Sequence, residues 1–160
     1  MKKVLMASGL LFVTLGLALG AALPNYAGTW ALDKGKSKDL PPMMANMDNF
    51  ELTVTQDDKQ LKVKASTGSD EIAYNLDGSK SKVQVTGRMP GEATVYLEKK
   101  DDGKLVLHTE RELNFQGNAV SIKVTENWEL ADEGKSLNVK RTIESPRGTQ
   151  EMTMVFTKKS

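Results

Sequence analysis

Phe50-Glu51-Leu52-Thr53-Val54-Thr55 and Leu61-Lys62-Val63-Lys64-Ala65, parted by Gln56-Asp57-Asp58-Lys59-Gln60, decide the fold class. In each run apolar and polar residues alternate one for one, the period of a strand with one dry face and one wet face, and the break between them has turn chemistry. Outward from this pair the alternation recurs around Tyr74, Val83, Val95, Leu107, Leu113, Ile122, Trp128, Val139 and Met154, always punctuated by Gly, Asp, Asn or Ser. The series predicts an all-β, antiparallel up-and-down meander of about 8–10 strands, counting a short one at Trp30, and a twisted sheet of that size curls and closes into a barrel. Its outward positions include Glu51, Lys62, Lys64, Glu71, Lys82, Glu98, Lys123 and Glu129. That outer face excludes a membrane barrel, whose lipid-facing band must be apolar.

Before the meander, Met1-Lys2-Lys3 precedes a nearly unbroken apolar stretch from Val4 to Leu23, with small residues at Ala18, Gly20 and Ala22. A basic start, an apolar run and a small-residue cleavage region read as a Sec-type signal peptide over residues 1–22. Residues 23–160 then form the mature domain, which is expected to be periplasmic or secreted. The rival reading is an uncleaved anchor, since the apolar run is just long enough to cross a bilayer. With no cysteine in the chain there is neither a lipobox nor a disulfide, so the domain relies on its core. Removing Lys2 and Lys3 leaves 20 basic against 21 acidic residues. Nucleic acid is excluded as a partner on that balance, because phosphate binding needs a basic surplus on one face.

Turn residues propose the registers. Asp101-Asp102-Gly103 suits a three-residue loop with a left-handed glycine, and Gly117-Asn118 suits a two-residue hairpin. Asp132 to Lys135 and Ser145 to Gly148 suit four-residue loops. Phe115 would then face Val120, Leu113 would face Ile122, Trp128 would face Val139, and Leu137 would face Phe156. Between Trp30 and Phe50, Pro41-Pro42 allows no more than a turn or two of helix.

Three charges break the inward pattern: Arg111 after Leu107 and Thr109, Glu126 between Val124 and Trp128, and Arg141 between Val139 and Ile143. The loops above put Glu126 opposite Arg141, and Arg111 diagonal to Glu126. Buried charges require partners, so Glu126 serves one arginine and the other is available to a ligand carboxylate, sulfate or phosphate. The candidate ligand-binding residues are Arg111, Glu126, Arg141, Thr109, Tyr74 and Leu107, and the ligand class is small and hydrophobic, or amphiphilic and anionic. A structural network closing one end of the barrel explains the same three charges.

Gly28-Thr29-Trp30 on the first strand, the meander after it and an arginine on a late strand resemble the lipocalin and fatty-acid-binding superfamily, the calycins. The longer string Gly28-Thr29-Trp30-x-Leu32-Asp33-x-x-x-Ser37 is similar to that of short exported bacterial chains. The resemblance implies a lipocalin-like barrel holding small apolar or amphiphilic molecules. It also implies a structural plug in which Gly28 allows a close turn, Trp30 closes one end, and Arg141, or failing it Arg111, lies over the tryptophan. The chain lacks the Thr-Asp-Tyr signature, a helix after the last strand and room for a two-helix lid.

Met43, Met44 and Met47 have the soft sulfur that suits Cu(I), but they read more simply as an apolar plug over the barrel mouth. His108, the one histidine, has outward parity and is expected to face water. No Gly-x-Ser-x-Gly elbow, P-loop or dinucleotide fingerprint is present, so the expectation is a protein without enzymatic activity, cofactor or metal. The alternative to a binder is an envelope interaction module with a filled core, in which Tyr96, Val106 or Met89 forms an exposed patch or an open sheet edge.

Overall fold

The computed structural model describes residues 23–86, 90–115 and 118–159; the signal peptide expected over residues 1–22 and Met89 lie outside the described residues. The strands are β1 (Gly28–Leu32), β2 (Glu51–Gln56), β3 (Gln60–Ala65), β4 (Glu71–Asn75), β5 (Ser81–Val85), β6 (Gly91–Lys99), β7 (Leu105–Phe115), β8 (Asn118–Ala131), β9 (Ser136–Ser145) and β10 (Gly148–Lys158). One helical turn, α1 (Pro42–Ala45), and a 3-10 turn at Asp132–Gly134 complete the elements.

All ten strands belong to one antiparallel sheet in the order β4-β3-β2-β1-β10-β9-β8-β7-β6-β5. The first and last strands join, with Trp30 opposite Lys158 and Leu32 opposite Phe156. Sheet order therefore ends at β4 and β5, the strands that flank the one seam of a nearly closed barrel. Alternation puts Trp30, Val54, Leu61, Tyr74, Val95, Leu107, Trp128, Val139, Met154 and Phe156 into one buried cluster. Most of their neighbours on each strand point to the outer face, as the period of two requires.

One end is closed by aromatic packing. Trp30 is fully buried and donates from Nε1 to the Tyr26 carbonyl at 2.9 Å. The Tyr26 ring lies 6.1 Å from that of Trp128, and its hydroxyl donates to the Gly103 carbonyl at 2.9 Å. Gly28 enters β1 with φ at 144°, a conformation that favours glycine. The cation over the Trp30 ring is Lys158, its Nζ 5.2 Å from the ring centroid, rather than Arg141. Lys158 takes that place because it is the cross-strand partner of Trp30.

The turns follow their residues, with one exception. Lys100 N–H bonds to the Lys104 carbonyl across Asp101-Asp102-Gly103, and Gly103 has φ 79°. The pairs Trp128 with Val139 and Leu137 with Phe156 form as the loops predict. The β7–β8 hairpin differs: Phe115 pairs with Asn118, Leu113 with Val120 and Arg111 with Ile122. Asn118, expected in the turn, is instead the first residue of the β8 ladder. This slip of two leaves every side chain on its own face, so the apolar pattern is blind to it.

Candidate functional site

Four strands carry the inward polar groups. Tyr74 is on β4, Thr109 and Arg111 are on β7, Glu126 is on β8, and Arg141 is on β9. Glu126 sits opposite Arg141 in the ladder, and both Nε and a terminal nitrogen of the guanidinium donate to Oε1 of Glu126, Nε at 2.5 Å. Trp128 Nε1 donates to Oε2 at 2.9 Å. The carboxylate thus accepts from three donors, which satisfies a charge that is only 12% exposed. Beneath this pair lies the fully apolar row Leu105, Trp128, Val139 and Met154.

Tyr74 and Thr109 hydroxyls meet at 3.2 Å across the seam side of the barrel. Burial pushes the Tyr74 phenol above its ordinary value of 10.0, and the Glu126 carboxylate pushes it further, outweighing the opposing effects of Thr109 and Arg141. Tyr74 is therefore a neutral hydroxyl at physiological pH.

These groups line a cavity of about 330 Å³ inside the barrel. Apolar side chains on β2, β3, β4, β5, β7, β8, β9 and β10, among them Leu52, Val63, Ile72, Leu107 and Phe156, supply most of the wall. Arg111, Glu126, Arg141, Thr109, Tyr74 and Leu107 all border this one space. The register that would set Arg111 diagonal to Glu126 is not the one formed: the hairpin slip puts Ile122 opposite Arg111 and Leu107 opposite Glu126.

Asp70, in the turn between β3 and β4, lies within electrostatic reach of Arg111 and is a residue that sequence reasoning missed. Asp70 accepts from Thr86 N–H at 2.7 Å and from the Thr86 hydroxyl at 2.6 Å. Those bonds, above all the hydroxyl one, hold its carboxyl below the ordinary 3.8, and the Arg111 charge adds to them. Since Thr86 follows β5, this side-chain clasp ties the two strands at the seam. Ser69-Asp70 reads in the sequence as turn chemistry, with nothing to signal a partner beyond the turn.

Outside the barrel, His108 has the expected parity but is largely covered. Its ring stacks on Tyr96 at 4.4 Å and 10°, and Nε2 lies 3.2 Å from Glu98. Lys80 Nζ is 4.4 Å from the centroid of Tyr96. Val106 is 7% exposed, so it does not form the apolar patch expected of an interaction module. Met44 packs against the core while Met43 is 56% exposed. An outer concavity of about 320 Å³ between β7 and β10 is rimmed by Lys100, Lys104 and Lys140. Each of these lysines already pairs with a carboxylate, which leaves the interior as the better site.

No protein-family model and no curated protein sequence matches the chain. Among solved structures, the chain is similar to the zebrafish ileal bile acid-binding protein complexed with cholic acid, with a TM-score of 0.56 at 13% identity over 83% of this chain and 98% of the other. At that identity the likeness concerns the fold, a calycin-type β-barrel.

Proposed function

We propose that this chain is an exported, non-enzymatic binding protein that holds one small hydrophobic or amphiphilic molecule inside its barrel. The observation that carries the reading is the interior cavity of about 330 Å³, walled by apolar side chains on which Tyr74, Thr109, Glu126 and Arg141 converge. Small-molecule sites have this make-up: a mostly apolar enclosure of roughly 300–1,000 Å³ with a few placed polar groups. A structural neighbour complexed with cholic acid is in keeping with it. Export is supported by Lys2-Lys3 and the apolar stretch behind them.

Trp128 borders the cavity and gives the test its reporter, since its indole N–H bonds to Glu126. Titration of 1-decanol into the mature protein is expected to move the Trp128 indole resonance saturably, with one site per chain. An indole that stays fixed to the solubility limit of the probe, together with no co-purifying small molecule in native mass spectra, rules the reading out. N-terminal sequencing of protein recovered from the periplasm tests export, with cleavage near Ala22 expected.

A further inference from the structure

Four charged side chains border the cavity: Asp70 and Glu126 are negative, Arg111 and Arg141 positive. The lining is electrically balanced. Glu126 and Arg141 are bonded to each other, and the clasped Asp70 lies within the influence of Arg111. An anionic head entering here would add a second negative charge beside Glu126, or draw Arg141 away and leave Glu126 uncompensated in a dry wall, which is costly. A cationic head meets the mirror problem at Arg141.

The hydroxyl groups offer what the charges withhold. Tyr74 and Thr109 share one hydrogen bond, and each hydroxyl carries one O–H and two lone pairs, so the pair presents both a donor and acceptors to a third group. An alcohol or amide, which donates and accepts, complements it.

Size narrows the class. The cavity of about 330 Å³ lies at the lower end of the roughly 300–1,000 Å³ that small-molecule sites span. That suits one medium-length alkyl chain with a small head better than a two-chain lipid.

We infer that the barrel selects a single-chain amphiphile with an uncharged hydroxyl or amide head, seated at Tyr74 and Thr109, and discriminates against carboxylates. This narrows the anionic class expected from the sequence, and it rests on the binding reading above.

The experiment compares 1-decanol, decanoate and decylammonium at pH 7.4, following the Trp128 indole resonance in the mature protein. Decanol is expected to bind at least tenfold more tightly than either ion. Because decanol is also the least hydrated of the three, the deciding quantity is how the decanoate-to-decanol ratio of Kd changes with lining charge. Glu126→Gln makes the lining positive and is expected to lower that ratio at least tenfold while raising the ratio for decylammonium. Asp70→Asn, at the rim and away from the buried pair, is expected to move both ratios in the same directions, so the inference remains testable if Glu126→Gln does not fold. Decanoate binding as tightly as decanol to the unmodified protein, or ratios that stay constant in the folded variants, overturns the inference and leaves the binding reading standing. If none of the three probes moves the resonance, the inference falls, and the binding reading falls with it when no small molecule co-purifies.

Discussion

Glu126 and Arg141 face each other across β8 and β9 inside the barrel, and Trp128, two residues along β8, donates to the same carboxylate. Glu126→Ala leaves the guanidinium in a mostly apolar wall without this partner. Arg141 retains 29% exposure, which moderates the penalty. A loss of about 2 kcal/mol in urea unfolding is expected, below the ~3–5 kcal/mol of a fully buried pair. Replacing both residues with apolar ones of similar volume, as in Glu126→Leu with Arg141→Met, is expected to cost less than Glu126→Ala alone.

Trp30 and Lys158 separate packing from charge at the closed end. Trp30→Ala empties a fully buried site and removes the bond to the Tyr26 carbonyl, so a loss of about 3–5 kcal/mol is expected in the same assay. Lys158→Ala removes only the cation near the ring, worth about 0.5–1 kcal/mol. Arg141→Ala is expected to leave Trp30 fluorescence unchanged.

Asp70, Asp57, Asp77 and Asp102 all have carboxyls held below their ordinary 3.8 in the fold. Hydrogen bonds are the leading cause in each: from the Thr86 hydroxyl to Asp70, from the Lys59 backbone to Asp57, from the Ser79 side chain to Asp77 and from the Lys104 side chain to Asp102. A depressed folded value means stability that is present above 3.8 and lost as pH falls through the folded value. Acid unfolding is therefore expected to set in below about pH 4, with stability flat above it as far as these groups are concerned. Asp70→Asn is expected to lower stability at pH 7, to shrink its loss in acid, and to speed amide exchange at Thr86.

Burial, assisted by Asp102 and Glu129, pushes the Tyr26 phenol up to about 12, which Lys104 opposes. A raised folded value favours the protonated form, so this contribution is complete below pH 10 and lost as pH rises toward 12. Spectrophotometric titration is expected to show tyrosines ionising late, Tyr74 among them, and Tyr26→Phe is expected to remove the component near pH 12.

Gly103 has φ 79°, and a Cβ there would sit 2.9 Å from Pro24. Gly103→Ala thus combines backbone strain of about 1–2 kcal/mol with a clash against the Tyr26 segment. Gly134 has a similar φ of 82° but nothing within 4 Å, so Gly134→Ala is expected to be the milder of the two.

Strand order, the inward faces and the Glu126–Arg141 contact were legible because they depend on parity and on turns whose residues dictate their length. Arg111 was placed on the correct face but given the wrong neighbour, since a two-residue slip in β7–β8 preserves every apolar match. Asp70 was not legible: it arrives at Arg111 through a turn that is distant in sequence, and only barrel curvature brings β4 and β5 near enough for Thr86 to reach it. Lys158 over Trp30 was within reach of the same pairing logic, but the first-to-last-strand register that sets them opposite follows from closure and not from any local motif. The cavity itself depends on how large side chains fill the two ends, a property of volume that alternation does not encode.

The barrel wall has a different character at β4 and β5. Everywhere else neighbouring strands are stitched by main-chain ladders; here, among the described residues, side chains supply the ties: Ser69 and Asp70 with Thr86 at one end, Asn75 with Ser79 at the turn, and Tyr74 reaching past the seam to Thr109. Parting these two edges breaks no ladder, so the cylinder is a split cuff, held along this one line by a handful of side chains.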